Sequence, residues 1–180
     1  MTIASYITCI RIAFIFPVMF FTSLGNMEAN FYALLFFLLA GLTDYIDGYV
    51  ARRTNTESNL GALLDLLADK LLVCVTLLWL ATINNTFIFM IPVILIISRE
   101  LAISSIRQFI VESEGVNNIK VSFIAKSKTT IQFIAISLLI ISPGLGIYFY
   151  ALSLSLLWIA SLISLMSLFT YLFQWNKFFK

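Results

Sequence analysis

Six apolar stretches, at roughly residues 6–23, 30–51, 61–83, 86–108, 124–142 and 148–173, take up most of this chain. Crossing a bilayer as a helix takes about 20 predominantly apolar residues, and most of the six approach or exceed that length. Backbone groups in hydrocarbon must find partners within their own segment, which makes each stretch a helix. The gaps read SLGNMEAN, RRTNTESN, TINNT, VESEGVNNIK and SPGLG, rich in the Gly, Pro, Asn and Ser that end helices. The expectation is an all-α integral membrane protein with six transmembrane helices. Only 11% of the residues are charged, against about a quarter in soluble domains. No long polar insertion leaves room for a separate soluble module, so residues 1–180 read as a single domain.

Charge is unevenly placed along this map. Arg11, Arg52, Arg53, Lys70, Arg99, Arg107, Lys120, Lys126, Lys128, Lys177 and Lys180 all fall on one side of it. The three opposite loops, near residues 24–29, 84–85 and 143–147, contain no Lys or Arg. By the positive-inside rule both termini and the charged loops are expected to face the cytoplasm. The net charge of +2 is too small to suggest a nucleic-acid partner. Cys9 and Cys74 both stand in apolar segments, where a small buried hydrophobe is the default reading rather than a disulfide or a ligand. Arg11 interrupts the first apolar run and no convincing small-residue cleavage site follows, so no cleaved signal peptide is expected.

The costliest residues in such a chain are its intramembrane acids. Asp44 and Asp47 lie three apart near the end of the second apolar stretch, and Asp65 and Asp69 four apart near the start of the third. Those spacings put each pair on one helix face. With the two helices antiparallel about the turn RRTNTESN, the four carboxylates share a depth roughly 8–14 Å below the surface. Carboxylates that close cannot all ionise without a counter-charge. An oxygen-only donor set in a chain without His suits Mg²⁺ or Mn²⁺, and two such ions neutralise a diphosphate and steady both oxygens of a displacement. Gly48, Gly61 and Ala51 remove bulk beside Asp47 and Asp65, and Arg52 offers a forked pair of donors for a phosphate. The competing readings are an acidic cluster that satisfies neighbouring Lys or Arg, and the cation path of a transporter.

Asp44, Asp47, Gly48, Ala51, Arg52, Gly61, Asp65 and Asp69 match, with every gap correct, D-x2-D-G-x2-A-R-x8-G-x3-D-x3-D. This resembles the signature of the CDP-alcohol phosphatidyltransferase family, and eight fixed positions recur by chance about once in 10¹⁰ placements. Two further segments, SRELAISSIRQF and AKSKTTIQ, resemble stretches of bacterial family members that make phosphatidylglycerophosphate, with Ala125 where those carry Gly. Thr8 and Arg11 fit the family's opening Pro-Asn-x-Leu-Thr-x-x-Arg pattern, although Ala4 and Ser5 stand in place of the Pro and Asn.

The resemblance implies an enzyme of the cytoplasmic (inner) membrane that joins CDP-diacylglycerol to sn-glycerol 3-phosphate and releases CMP, its site between helices at the cytoplasmic side. It implies two divalent ions on Asp44, Asp47, Asp65 and Asp69, with Asp69 also taking the proton of the attacking hydroxyl. CDP would lie against Asp47, Gly48, Ala51, Arg52 and Gly61. The acceptor phosphate would be held by Arg11, Arg99, Arg107, Lys126 and Lys128, and the family implies a homodimer. A family member using phosphatidylglycerol as acceptor, which makes cardiolipin, is the alternative within the same chemistry. On residues alone, Arg11 could equally snorkel to the interface, Arg99 and Glu100 could form a structural pair, and Lys126 and Lys128 could anchor acidic lipids. Lys70 is expected to pair with a neighbouring helix's carboxylate, Glu57 to be solvated, and Trp158, Tyr171 and Trp175 to pack or sit in an interfacial belt. The absence of His excludes a Ser-His-Asp hydrolase or a phosphohistidine intermediate within this chain.

Overall fold

A computed structural model describes residues 3–54, 59–114 and 123–175, apart from the side chains of residues 3–7, 44–63, 65, 107, 110–128, 171 and 174–175. The described chain is all helix and turn: α1 (Ile3–Ser23), α2 (Met27–Thr54), α3 (Asn59–Asn84), α4 (Phe87–Glu114), α5 (Phe123–Ile141) and α6 (Ile147–Trp175), with one 3-10 turn at Ser142–Gly144. Each helix coincides with one apolar stretch of the sequence. The helices overrun those stretches mainly into polar residues at the charged end, because the backbone ladder continues after the side chains stop being apolar. Over the described residues, three apolar segments are long enough to span a bilayer: Leu66–Asn84, Phe87–Ile106 and Ile147–Thr170. Thr8–Ser23, Met27–Thr43 and Thr129–Gly144 are shorter apolar helical segments.

The end with few charges is closed by local turn chemistry. Asn26 caps α2 by accepting a hydrogen bond from Ala29 N–H at 2.8 Å, which satisfies one of the first-turn donors. Gly25 just before it has φ +68°, a left-handed conformation that glycine adopts without strain. At the next turn Asn85 takes the left-handed role with φ 43°, as Asn often does just past a helix end.

Side-chain contacts fix how the helices run. Phe14 meets Phe36 and Phe21 meets Tyr32, so α1 and α2 are antiparallel. Thr22 meets Trp79 and Arg11 meets Asp69, so α1 and α3 are parallel. Ile88 meets Trp158 and Arg99 meets Ser167, so α4 and α6 are parallel as well. Phe37 stacks on Phe133 of α5 with ring centroids 4.5 Å apart. Gly41, one turn further along α2, makes that approach possible, since a Cβ there would overlap the Phe133 ring. The core these contacts enclose contains Val18, Ala33, Phe37, Leu77, Ile96, Ile136 and Leu157.

Burial follows a pattern opposite to that of a water-soluble protein. Thr8, Arg11, Asn30, Thr76, Arg99, Gln132, Ser161, Ser164 and Ser167 are buried, while Phe16, Phe20, Leu35, Ile94, Met166 and Phe169 are exposed. Outward-facing apolar residues of this size cover far more surface than a soluble monomer leaves bare. Buried small and hydroxyl-bearing residues are how membrane helices pack when lipid is as apolar as the core. This is a membrane protein.

Candidate active site

The two halves of the expected signature sit where the sequence places them along the chain. Asp44 and Asp47 belong to the C-terminal part of α2, and Asp65 and Asp69 to the N-terminal part of α3. At about 1.5 Å per residue, Asp44 and Asp47 lie about 15 and 10 Å from the end of α2, and Asp65 and Asp69 about 9 and 15 Å from the start of α3. The side chains of Asp44, Asp47, Ala51, Arg52, Asp65, Arg107, Lys126 and Lys128 lie outside the described residues, as do the surroundings of Gly48 and Gly61. So do Glu57 in the turn and the side chains of Tyr171 and Trp175. Three of the expected site residues are described in full: Arg11, Asp69 and Arg99.

Arg11 and Asp69 meet. The Arg11 Nη1 donates to Asp69 Oδ1 at 2.8 Å across the α1–α3 contact. The pair is lopsided, since the Arg11 side chain is 0% exposed and that of Asp69 is 50% exposed. Thr8, one turn before Arg11, is also buried, so both residues of the Thr-x-x-Arg pattern face into the bundle. A guanidinium with no exposed surface among apolar helices demands a carboxylate nearby, and Asp69 supplies it.

Arg99 stands apart from that pair, on α4. Its Nη2 donates to Ser167 Oγ of α6 at 2.7 Å, and its Nη1 reaches both carboxylate oxygens of Glu100 at 3.4 Å. That second contact is long for a charge-assisted bond, which favours about 2.7–2.9 Å. Arg99 Nε makes no hydrogen bond. Arg99 and Glu100 do therefore pair, in a loose geometry. Ser167 lies in a helix whose hydrophobicity alone marks it as a plain span. The signal for it was present nonetheless: Ser161, Ser164 and Ser167 recur every three residues and are all buried.

Lys70 finds a different partner from the one expected. Its Nζ donates to Ser104 Oγ of α4 rather than to a carboxylate, and Ser104 Oγ in turn donates to the Glu100 carbonyl at 2.6 Å. The α3–α4 contact brings a serine to Lys70 because Glu100 lies one turn further back on α4 and turns its carboxylate to Arg99. Trp158 does pack as expected, with its Nε1 donating to the Ile88 carbonyl at 3.1 Å. Cys9 and Cys74 form no disulfide, but neither is the buried hydrophobe expected: Cys9 is exposed and Cys74 half-buried.

The donor chemistry fits hard divalent ions. Four aspartates and no His give an all-oxygen set, which suits Mg²⁺ or Mn²⁺ rather than zinc. Among the described residues no three acidic, His or Cys side chains gather, as follows when Asp69 alone of the four has a described side chain.

Comparison with known proteins covers nearly the whole chain. Residues 1–172 match the family profile described as CDP-alcohol phosphatidyltransferase. A protein of Rickettsia bellii named CDP-diacylglycerol--glycerol-3-phosphate 3-phosphatidyltransferase is 36% identical over 97% of this chain and 96% of its own length. Proteins with the same name from Wigglesworthia glossinidia brevipalpis and Haemophilus influenzae are 36% and 34% identical, over 92% and 93% of this chain and 89% of each relative. With the eight-residue signature intact on α2 and α3 and the match running through all six helices, the chain belongs to the CDP-alcohol phosphatidyltransferase family.

Proposed function

We propose that this chain transfers the phosphatidyl group of CDP-diacylglycerol to sn-glycerol 3-phosphate, giving phosphatidylglycerophosphate and CMP. The observation that carries this reading is full-length similarity to relatives bearing that name, on a chain that keeps every fixed position of the signature. All six helices cross the membrane, both termini face the cytoplasm, and the site opens on the cytoplasmic side of the inner membrane. Charge asymmetry supports that orientation. One domain carries the activity, and two copies associate.

Asp44, Asp47, Asp65 and Asp69 would hold two Mg²⁺ or Mn²⁺ ions. When bound, the ions neutralise the diphosphate and polarise its phosphorus-oxygen bonds. Asp47, Gly48, Ala51, Arg52 and Gly61 receive the CDP, with small residues where the nucleotide lies against backbone and the Arg52 fork on a phosphate. The free primary hydroxyl of the acceptor attacks the phosphorus that carries the diacylglycerol. Its new P–O bond forms as the bond to CMP breaks, and Asp69 takes the hydroxyl proton. Half of the Asp69 side chain is exposed, which leaves room for a substrate to approach it.

The acceptor's own phosphate is held by Arg99, Arg107, Lys126 and Lys128. Lys126 and Lys128 belong to the first turns of α5, where the helix N-terminus adds its partial positive charge. Arg99 joins from inside the bundle: unlike Arg11 it keeps a small exposed edge, 7% of its side chain, and its Nη1 stands 3.4 Å from Glu100, longer than a settled charge-assisted bond.

The test uses the full-length protein in detergent with CDP-diacylglycerol, Mg²⁺ and radiolabelled glycerol 3-phosphate. The expected result is labelled lipid in chloroform matched by CMP release, both stopped by a chelator. Release of CMP with phosphatidylglycerol but no labelled lipid from glycerol 3-phosphate would move the reading to the cardiolipin-forming branch.

A further inference from the structure

Arg11 carries an expectation that its geometry does not suit. A residue that captures the phosphate of an acceptor arriving from water needs donors the phosphate can reach. The Arg11 side chain has no exposed surface, whereas Asp69, its partner at 2.8 Å, is half exposed. With no exposed surface, the guanidinium is closed to a phosphate arriving from water, while the carboxylate it holds is open. Resting on the reading above, we infer that Arg11 is a positioning residue for Asp69: from behind, it fixes the carboxylate that receives the acceptor's proton.

Three observations carry this. The bond joins residues 58 apart in sequence, on two helices that also meet near their other ends through Trp79 Nε1 and Thr22 Oγ1 at 3.0 Å. Two contacts along one helix pair restrain α1 from sliding or rotating on α3, so the root of the Arg11 side chain keeps a fixed place relative to Asp69. Burial is also complete on the Arg side only. An ion pair that merely bridged helices at the surface would expose both partners, and a purely structural contact would be served as well by apolar residues of similar volume. Finally, the clamp falls on one carboxylate oxygen, Oδ1. A half-exposed Asp turns readily about its terminal torsion, and a short charge-assisted bond at one oxygen sets which edge of the carboxylate faces outward. Displacing a reacting group by about 1 Å can cost about a hundredfold in rate.

The experiment separates positioning from acceptor binding by steady-state kinetics of CMP release on full-length Arg11→Lys and Arg11→Gln proteins. Binding of CDP-diacylglycerol is measured alongside to show that the nucleotide-lipid half of the site is formed. The expected result is a fall in kcat of about a hundredfold for Arg11→Gln and about tenfold for Arg11→Lys, which keeps the charge but not the fork. The KM for the acceptor stays within about twofold of wild type in both, the pattern of an interaction made only in the transition state. A rise of about tenfold in acceptor KM with kcat held would overturn the inference and return Arg11 to the phosphate. Wild-type kcat in either variant would overturn it too. Where Arg11→Gln does not fold, Arg11→Lys decides by the same split. A wild-type protein that releases CMP only with another acceptor sinks the proposed substrate, yet leaves the Arg11 measurement readable with the acceptor that works.

Discussion

The two ends of the helical bundle solve the same problem, polar groups among apolar helices, by different means. At the end bearing the short turns, partners are local or neutral: Asn26 caps its own helix, Thr22 Oγ1 donates to the Val18 carbonyl at 2.7 Å, and Trp158 donates to a backbone carbonyl. At the charged end, the described side chains reach across helices: Arg11 to Asp69, Lys70 to Ser104 and Arg99 to Ser167. A neutral local bond is a cheap way to keep a helix end quiet in lipid. A buried guanidinium is not, and both of the buried ones among the described residues, Arg11 and Arg99, lie in that half.

That contrast can be broken by substitution, beginning where the effect should be greatest. Asp69→Asn keeps the size of the side chain and a hydrogen-bond acceptor for Arg11 but removes the proton acceptor. CMP release should fall by about 10²–10⁴-fold at unchanged expression, and near-normal turnover would take Asp69 out of the reaction. Ser167→Ala comes next, since it strips the 2.7 Å partner from a buried cation. The expected loss is about 1–2 kcal/mol of stability by thermal unfolding in detergent. A rise in acceptor KM should accompany it, because Arg99 is then held less firmly. Loss of stability with no kinetic change would confine Arg99 to a structural role. The smallest effect is expected at the quiet end. Trp158→Phe removes one bond to the Ile88 carbonyl, costing about 0.6 kcal/mol, with kcat and KM unaltered. A kinetic effect there would mean that the two ends are coupled rather than divided.

Much of this is legible in the sequence alone. Apolar run lengths and breaker-rich gaps gave six helices at nearly their observed bounds, because a segment in lipid has few ways to satisfy its backbone. The signature located the acids on α2 and α3 for a similar reason: spacing along a helix is fixed by its geometry. Partner choice was not legible in this way. Lys70 was expected to seek a carboxylate and instead meets Ser104, while Ser167 in an apolar helix turned out to hold Arg99.

By itself, the sequence determined which segments are helical, which ends carry charge, and that four aspartates fall near the charged ends of α2 and α3. Only the tertiary structure decided that Arg11 pairs with Asp69 and that Arg99 is bonded to Ser167 of α6. Helix formation is settled by interactions within a few residues, whereas these pairs join positions 58 and 68 apart. Which buried cation meets which partner depends on how neighbouring helices rotate and slide as they pack, and neither periodicity nor composition records that.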